Sequence, residues 1–462
     1  MAQAAARQVD DTDLTLKLAE NSMSFTLDGL PKEAVEVARH CFLDWLGVTL
    51  AGSREPLAGI LLKEALSEGG NPQATVIGDG RKVSIQQAAL INGSAGHALD
   101  YDDVHLLMPG HPTVPVVPAL LALAEYQNRD GKDFLTALVA GIEAECRVGA
   151  IMNQSHYGAG WHATGTVGTF GATAAAAKLL GLNAKACANA MGIGGTQAAG
   201  LRSMFGTMCK PFHAGKAAVN GLSSALLSQR GFESRPDVLE CEQGFADTQT
   251  ENYDPAAALD GLGDVFHTPD VLFKYHAACY GTHASIEAAA ALKREHNIDP
   301  DNVADIEVHV RGDNLRICNI LNPVTGLEGK FSLRFTAAMA LLGENTAVIA
   351  NYNEQKVQDP EIVAVRDKIS VHVNDDLGLA QSDVVISMKD GTVHKTRADV
   401  ETPDTDLDRQ WSRLRAKFTD MATPVISAAG VRTVIDAVRN LETCDDIAEI
   451  AALCGKPAGN DV

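Results

Sequence analysis

Three features of the sequence predict a mainly helical protein that carries an inserted α+β domain. Apolar residues recur at helical spacing through the first ~260 positions. Between residues 271 and 399, short stretches instead alternate apolar and polar side chains, the period of half-buried strands. The helical pattern then returns from residue 400 to the end. A large all-helical domain built from residues 1–270 and 400–462, with a smaller α+β domain at 271–399, accounts for all three.

The opening MAQAAARQVDDTD lacks the apolar core of a secretory signal and reads as a loose tail. Pro31 opens a helix through Ala34–Leu46 and Pro56 another through Leu57–Leu66, each supplying the fixed φ of a first turn. Apolar helices follow at Val114–Glu125 and Phe134–Ile151, and further ones at Ala184–Met191 and Lys216–Arg230, the last stopped by Gly231. In the α+β stretch, Ile306, Val308 and Val310 alternate with polar residues, as do Ile369, Val371 and Val373. Asp383–Met388 and Thr392–Ala398 flank Lys389-Asp390-Gly391, a hairpin turn, and helices are expected at Ile286–Glu295 and Phe331–Leu342. Trp411–Phe418, Val425–Asn440 and Asp445–Leu453 carry the helical return.

The organising stretch is Gly158–Leu182, GAGWHATGTVGTFGATAAAAKLLGL. Glycine-rich backbone presents Trp161 and His162 and then enters a helix of Gly, Ala and Thr that Gly181 terminates. Such small side chains leave no amphipathic stripe, which places this helix at the centre of a bundle where neighbours approach closely. Lys178, His162 and the threonines argue against a membrane span, and no run of about 20 apolar residues occurs. His162 therefore stands where irregular backbone meets a buried helix.

Composition narrows the partners. With 462 residues, 46% hydrophobic and 21% charged, the chain can build sizeable cores without any low-complexity segment. A formal net charge of −21 repels phosphates, so neither nucleic acid nor an anionic membrane is expected as a partner. An acidic substrate would have to meet cations gathered locally. The nine cysteines form no CxxC and several fall in apolar helical runs, the pattern of reduced thiols in a cytoplasmic protein.

Familiar motifs fail. Gly192-Ile193-Gly194-Gly195 follows a helical stretch and lacks the last glycine of a dinucleotide loop, since position 197 is Gln. Ser94 misses the nucleophile elbow because position 92 is Asn. His97, Asp100, Asp102, Asp103, His105 and His111 contain metal-ligand types, but no DDxxD pattern or second acidic motif accompanies them, so no metal is expected. Asp102-Asp103 also admits a plain reading as a solvated helix cap.

Four stretches remain, each with a histidine beside a glycine or proline break: Gly96–Pro112, Gly160–Thr166, Gly200–Lys216 and Phe273–His283. Together they offer a carboxylate, several imidazoles, Lys210, and Arg202 for a substrate carboxylate. That inventory suits proton abstraction next to a carboxylate, followed by elimination, decarboxylation or reprotonation. Lys210 precedes Pro211, which predicts an extended backbone and a lysine projecting from a loop, either buried and usable as a base or charged and gripping a carboxylate.

On LDYDDVHLLMPGHP, HYGAGWHATGTVGTFGATAAAAKLLGL, GLRSMFGTMCKPFHAGKAAVNGL, FKYHAACYGTHASIEAA and EGKFSLRF, the sequence resembles the MmgE/PrpD family. That family includes 2-methylcitrate dehydratase, cis-aconitate decarboxylase and iminodisuccinate epimerase. The resemblance implies a helical domain from both chain ends, an α+β lid, a homodimer, and chemistry without iron–sulfur cluster, nucleotide or obligatory metal, so no cofactor. It carries family active-site positions onto Asp100, His111, His162 and Lys210. It also implies departures from the decarboxylase. Val104 replaces a threonine, Cys279 a histidine and Phe335 a tyrosine, which count against cis-aconitate decarboxylation.

The leading expectation is a cofactor-independent lyase of dehydratase type acting on a small di- or tricarboxylate. Lys210 or a histidine takes the proton α to a carboxylate, while Arg202, Lys274, His283 or Arg334 lines or grips the substrate. The alternative is an epimerase of an iminodisuccinate-like dicarboxylate, with Cys279 facing Lys210 or His162 across the reacting carbon. A third reading is a binding protein that keeps the fold without the chemistry.

Overall fold

The computed structural model describes residues 13–251 and 253–455, apart from the side chain of Asn153; the predicted loose tail falls almost wholly outside them. The chain divides into two compact units, residues 1–271 with 406–462, and residues 272–405. Helices dominate, and the strands form only a two-stranded ribbon and one four-stranded sheet.

In the first unit the small-residue helix is central, as its composition predicts. It runs Ala163–Leu179 with every residue but Lys178 buried, and Gly181 follows at φ +67°. Helices Thr113–Gln127, Gly131–Gly158, Ala184–Gly195 and Cys209–Gln229 pack around it. The approach is close enough to require glycine. A Cβ on Gly221 would lie 2.5 Å from the Ala172 Cβ and 2.6 Å from backbone atoms of the central helix. Backbone cannot yield as a side chain end can, so that contact admits no larger residue.

Several boundaries extend the sequence reading. The helix opened by Pro31 continues to Gly52, and the one expected at Phe134–Ile151 covers Gly131–Gly158. Shorter helices such as Pro360–Arg366 escaped it, as did two of more than ten residues, Leu14–Ser24 and Ile85–His97. The second starts at a capping box, in which Ser84 accepts from the Gln87 amide and Gln87 returns the bond. Gly93 and Gly96 had obscured it. The expected helices Trp411–Phe418 and Val425–Asn440 lie in the stretch Leu407–Arg439, where non-helical backbone at Ser427 (φ 67°, ψ 159°), three residues after Pro424, separates two helices. Taken across that break, the stretch is long and apolar enough to cross a membrane by length and composition, a feature the run-based reading did not register. It packs on Lys32–Gly52 within the unit.

In the second unit, Val303–Val310 pairs in parallel with Ile369–Val373 and antiparallel with Gln381–Met388, which in turn pairs with Val393–Asp399. Helices His283–His296 and Leu333–Leu342 pack against each other, the first also on the sheet. The alternation read from Ile306, Val308 and Val310 is the buried face of the central strand.

Candidate active site

The helix Ile85–His97 delivers His97 at its last turn, and the chain then turns sharply through Asp100, at φ 52°. A left-handed aspartate is uncommon and marks a constrained turn. Here it separates acids with different surroundings. Asp100 remains a third exposed and meets the Lys210 ammonium at 2.6 Å. Asp102 is buried and accepts from His97 Nδ1 at 2.8 Å, with His111 Nδ1 at 3.0 Å, a distance of contact whose angle falls outside a hydrogen bond. Asp103 is equally buried and accepts from the Thr113 hydroxyl. Neither Asp102 nor Asp103 is a solvated cap.

His111 bridges the first two acids, its Nε2 lying 3.6 Å from Asp100. Its backbone amide donates to the Thr164 hydroxyl at 3.1 Å, which ties this loop to the first turn of the central helix. His162 occupies the N-cap of that helix. Its amide donates to the Gly200 carbonyl at 3.0 Å, and the Arg202 amide donates to the Gly160 carbonyl at 2.8 Å, so residues 200–202 clamp the backbone on both sides.

Lys210 lies in the first turn of helix Cys209–Gln229, not in a loop. Pro211 occupies the third helical position, where the missing N–H would have had no intrahelical partner, so the helix tolerates it. A cation there opposes the helix dipole, and Asp100 offsets that cost. The helical setting also places His213, three residues on, on the same face.

The result is a cluster of four imidazoles with two carboxylates and one ammonium. The His97 and His111 rings meet edge to face at 4.6 Å, and His97 stacks on His162 at 5.6 Å. His162 Nδ1 reaches His213 Nδ1 at 3.0 Å, and Phe205 sets its edge against His162 at 5.0 Å. Burial would push the Asp102 carboxyl up, but His111 and His97 hold it well below the ordinary range, so it is ionised. Burial pushes His97 down to about 4, with Lys210 and His111 adding to the effect against Asp102. His97 is therefore neutral and donates its Nδ1 proton. Its Nε2 is buried with no hydrogen-bond partner among the described residues. His162 is held well below the usual histidine value, first by burial and then by His97, Lys210, His111 and His213.

The structure thus brings together Asp100, His111, His162 and Lys210. Sequence reasoning did not single out His213, or Asp102 as the carboxylate beneath the imidazoles; the i, i+3 spacing from Lys210 was the available signal for His213. Arg202 is otherwise engaged, its guanidinium donating to the Tyr157 carbonyl at 2.8 Å and lying 3.9 Å over the Tyr157 ring. Donor atoms of His97, Asp100, Asp102 and His111 lie within 4.8 Å of one another, close enough to share a cation. A cation there would have to displace the Lys210 ammonium from Asp100, so this set does not fit a resident metal.

Lys274, Cys279, His283 and Arg334 belong to the second unit. Lys274 and His283 are buried there. His283 donates Nε2–H to the Ala278 carbonyl at 3.2 Å and is held well below its ordinary value by burial, His276 and Lys274. Arg334 donates to the Arg366 carbonyl at 3.1 Å and lies 3.6 Å from Asp367. Cys279 is partly exposed and its amide donates to the Lys330 carbonyl. Phe335 is fully buried against Tyr352.

Comparison with known proteins identifies the family. The MmgE/PrpD N-terminal domain matches residues 16–258 and the MmgE/PrpD C-terminal domain residues 276–443. A cis-aconitate decarboxylase-like protein of Aspergillus oryzae is 30% identical over 92% of this chain and 93% of its own length. Cis-aconitate decarboxylase of Homo sapiens is 26% identical over 97% of each chain. A mitochondrial 2-methylcitrate dehydratase of Yarrowia lipolytica is 24% identical over 87% of this chain and 84% of its own. With both family domains matched in order along nearly the full length, the chain belongs to the MmgE/PrpD family.

Proposed function

We propose that the protein is a cofactor-independent lyase of dehydratase type acting on a small di- or tricarboxylate. The observation that carries this reading is the division of charge within one cluster. Lys210 is ion-paired with Asp100 at 2.6 Å, while His162 is buried and neutral. A lysine held as an ammonium binds a carboxylate and steadies the charge that grows on it; a neutral imidazole takes a proton. His162 is accordingly the base and Lys210 the anion grip. His162 Nε2 takes the proton α to the carboxylate, the carbon–carbon double bond forms, and the bond to the β-hydroxyl breaks. His111, set between Asp100 and Asp102, gives the departing hydroxyl its proton, so that water leaves.

Decarboxylation is the second reading, favoured by the relatives named as cis-aconitate decarboxylases. In that case CO₂ departs from substrate held by Lys210, and the carbon it leaves is protonated. One experiment separates the two. Purified protein is incubated in deuterated water with C4–C7 hydroxy, unsaturated and imino polycarboxylates and followed by proton NMR. Loss of a hydroxy acid to its alkene supports dehydration, and carbon loss with deuterium gain supports decarboxylation. Deuterium exchange with no net product would point to epimerisation, and turnover of no compound would sink the enzyme reading.

A further inference from the structure

His162 and His213 face each other through their Nδ1 atoms at 3.0 Å. Gly200 makes the approach possible: it sits at φ +153°, and a Cβ there would lie 3.2 Å from the His213 ring and 3.5 Å from the His162 Cβ. Two facing nitrogens can share a single proton, so one ring donates and the other offers its lone pair. Groups that face the pair are His97 from helix Ile85–His97, His111 from the loop before Thr113, and Lys210 from the same helix as His213. Both rings are held below the ordinary histidine value, chiefly by burial, and both are neutral near pH 7.

Two arrangements of protons remain. If His213 donates, the second proton of the pair sits on His162 Nε2. If His162 donates, that proton sits on His213 Nε2 instead. The rings differ in their access to water, since His162 is 2% exposed whereas His213 is only half-buried. An Nε2–H is better hydrated on the more exposed ring than on the buried one, which favours leaving the second proton on His213.

We propose that His213 is a positioning residue that accepts the Nδ1 proton of His162 and thereby leaves the His162 Nε2 lone pair facing substrate. One ring nitrogen's hydrogen bond decides the protonation of the other. The inference rests on the reading of His162 as the base only for its consequence in turnover; the tautomer itself follows from the pair.

The test separates the two. Long-range proton–nitrogen NMR of ¹⁵N-labelled protein reads the tautomer of each neutral imidazole, and His162 is assigned by the signal lost in His162→Asn. Wild type is expected to show His162 protonated on Nδ1. His213→Ala is expected to change that tautomer, whereas His213→Asn, whose amide oxygen can accept at the same place, retains it. An Nε2-protonated His162 in wild type overturns the proposal, as does the same tautomer in His213→Ala. On a substrate that turns over, His213→Ala should lower kcat by ~100-fold with KM little changed, as expected when an orienting partner is lost. His213→Asn should recover most of it, and His213→Asp should move the acid limb of the pH profile upward. If no substrate is found, the functional reading falls while the spectra still decide the tautomer.

Discussion

Asp102 and Asp103 are neighbours in sequence and equally buried, yet they belong to two regions with opposite chemistry. Asp102 lies under the imidazoles and is ionised because His97 and His111 surround it. Asp103 points into a layer of acids, and burial with the charges of Asp44 and Asp102 pushes its carboxyl up to about 8 despite Thr113. Glu145 belongs to that layer too. Burial and Asp103 drive it well above the usual range, and neither oxygen has a hydrogen-bond partner among the described residues. Lys417 supplies the charge there, 2.6 Å from Asp44, and donates to the Tyr101 carbonyl at 2.8 Å. A buried acid is thus an ion where imidazoles receive it and a neutral group where burial and neighbouring acids outweigh the donors beside it. The first region has groups poised to move protons; the second holds the loop that carries them.

The largest effect separating the regions is expected on turnover. Lys210→Met should reduce kcat/KM by about a thousandfold or more, because the ammonium that the described residues supply to the imidazole cluster is removed. Its unfolding midpoint should change little, since the Lys210–Asp100 pair is partly exposed. Activity near wild type would take Lys210 out of the reaction.

Lys417→Met should do the reverse. Leaving Asp44 buried without its ammonium is expected to cost about 3–5 kcal/mol in urea unfolding. A second substitution, Asp44→Leu, should recover most of that loss, because two apolar groups need no compensation. Failure of the double variant to recover would mean that Lys417 acts mainly through Tyr101.

The pH dependence sharpens the contrast further. Asp103 has an ordinary value of 3.8 and a folded value of about 8, so between those pH values the folded protein holds more protons than the unfolded chain. This group's contribution therefore lowers stability as pH rises from about 4 to about 8 and is level above. Asp103→Asn abolishes that slope: relative to wild type, the variant should gain stability from pH 5 to pH 8. Parallel stability curves would show Asp103 to be ionised in the folded state.

The smallest effect is expected at Glu145. Replacing a neutral acid by an amide of the same size in Glu145→Gln should change stability by no more than ~1 kcal/mol. A loss above ~3 kcal/mol would place a charge and an unseen partner at this position.

The sequence alone determined most of the long helices, the hairpin and the central strand, because period and turn residues are local properties. It also determined the burial of the central helix, since a run of Gly, Ala and Thr leaves room only for close neighbours. It brought forward Asp100, His111, His162 and Lys210 through resemblance and glycine or proline breaks. What it could not determine were the partners. Pro211 argued for a loop at Lys210, but a first helical turn accepts proline, and that decision put His213 beside His162 from 51 positions away. Asp102-Asp103 looked like a solvated cap until packing buried both. Whether each became an ion or a neutral acid was decided only by the tertiary structure, because a buried group's charge is set by what faces it across the fold and not by its neighbours along the chain.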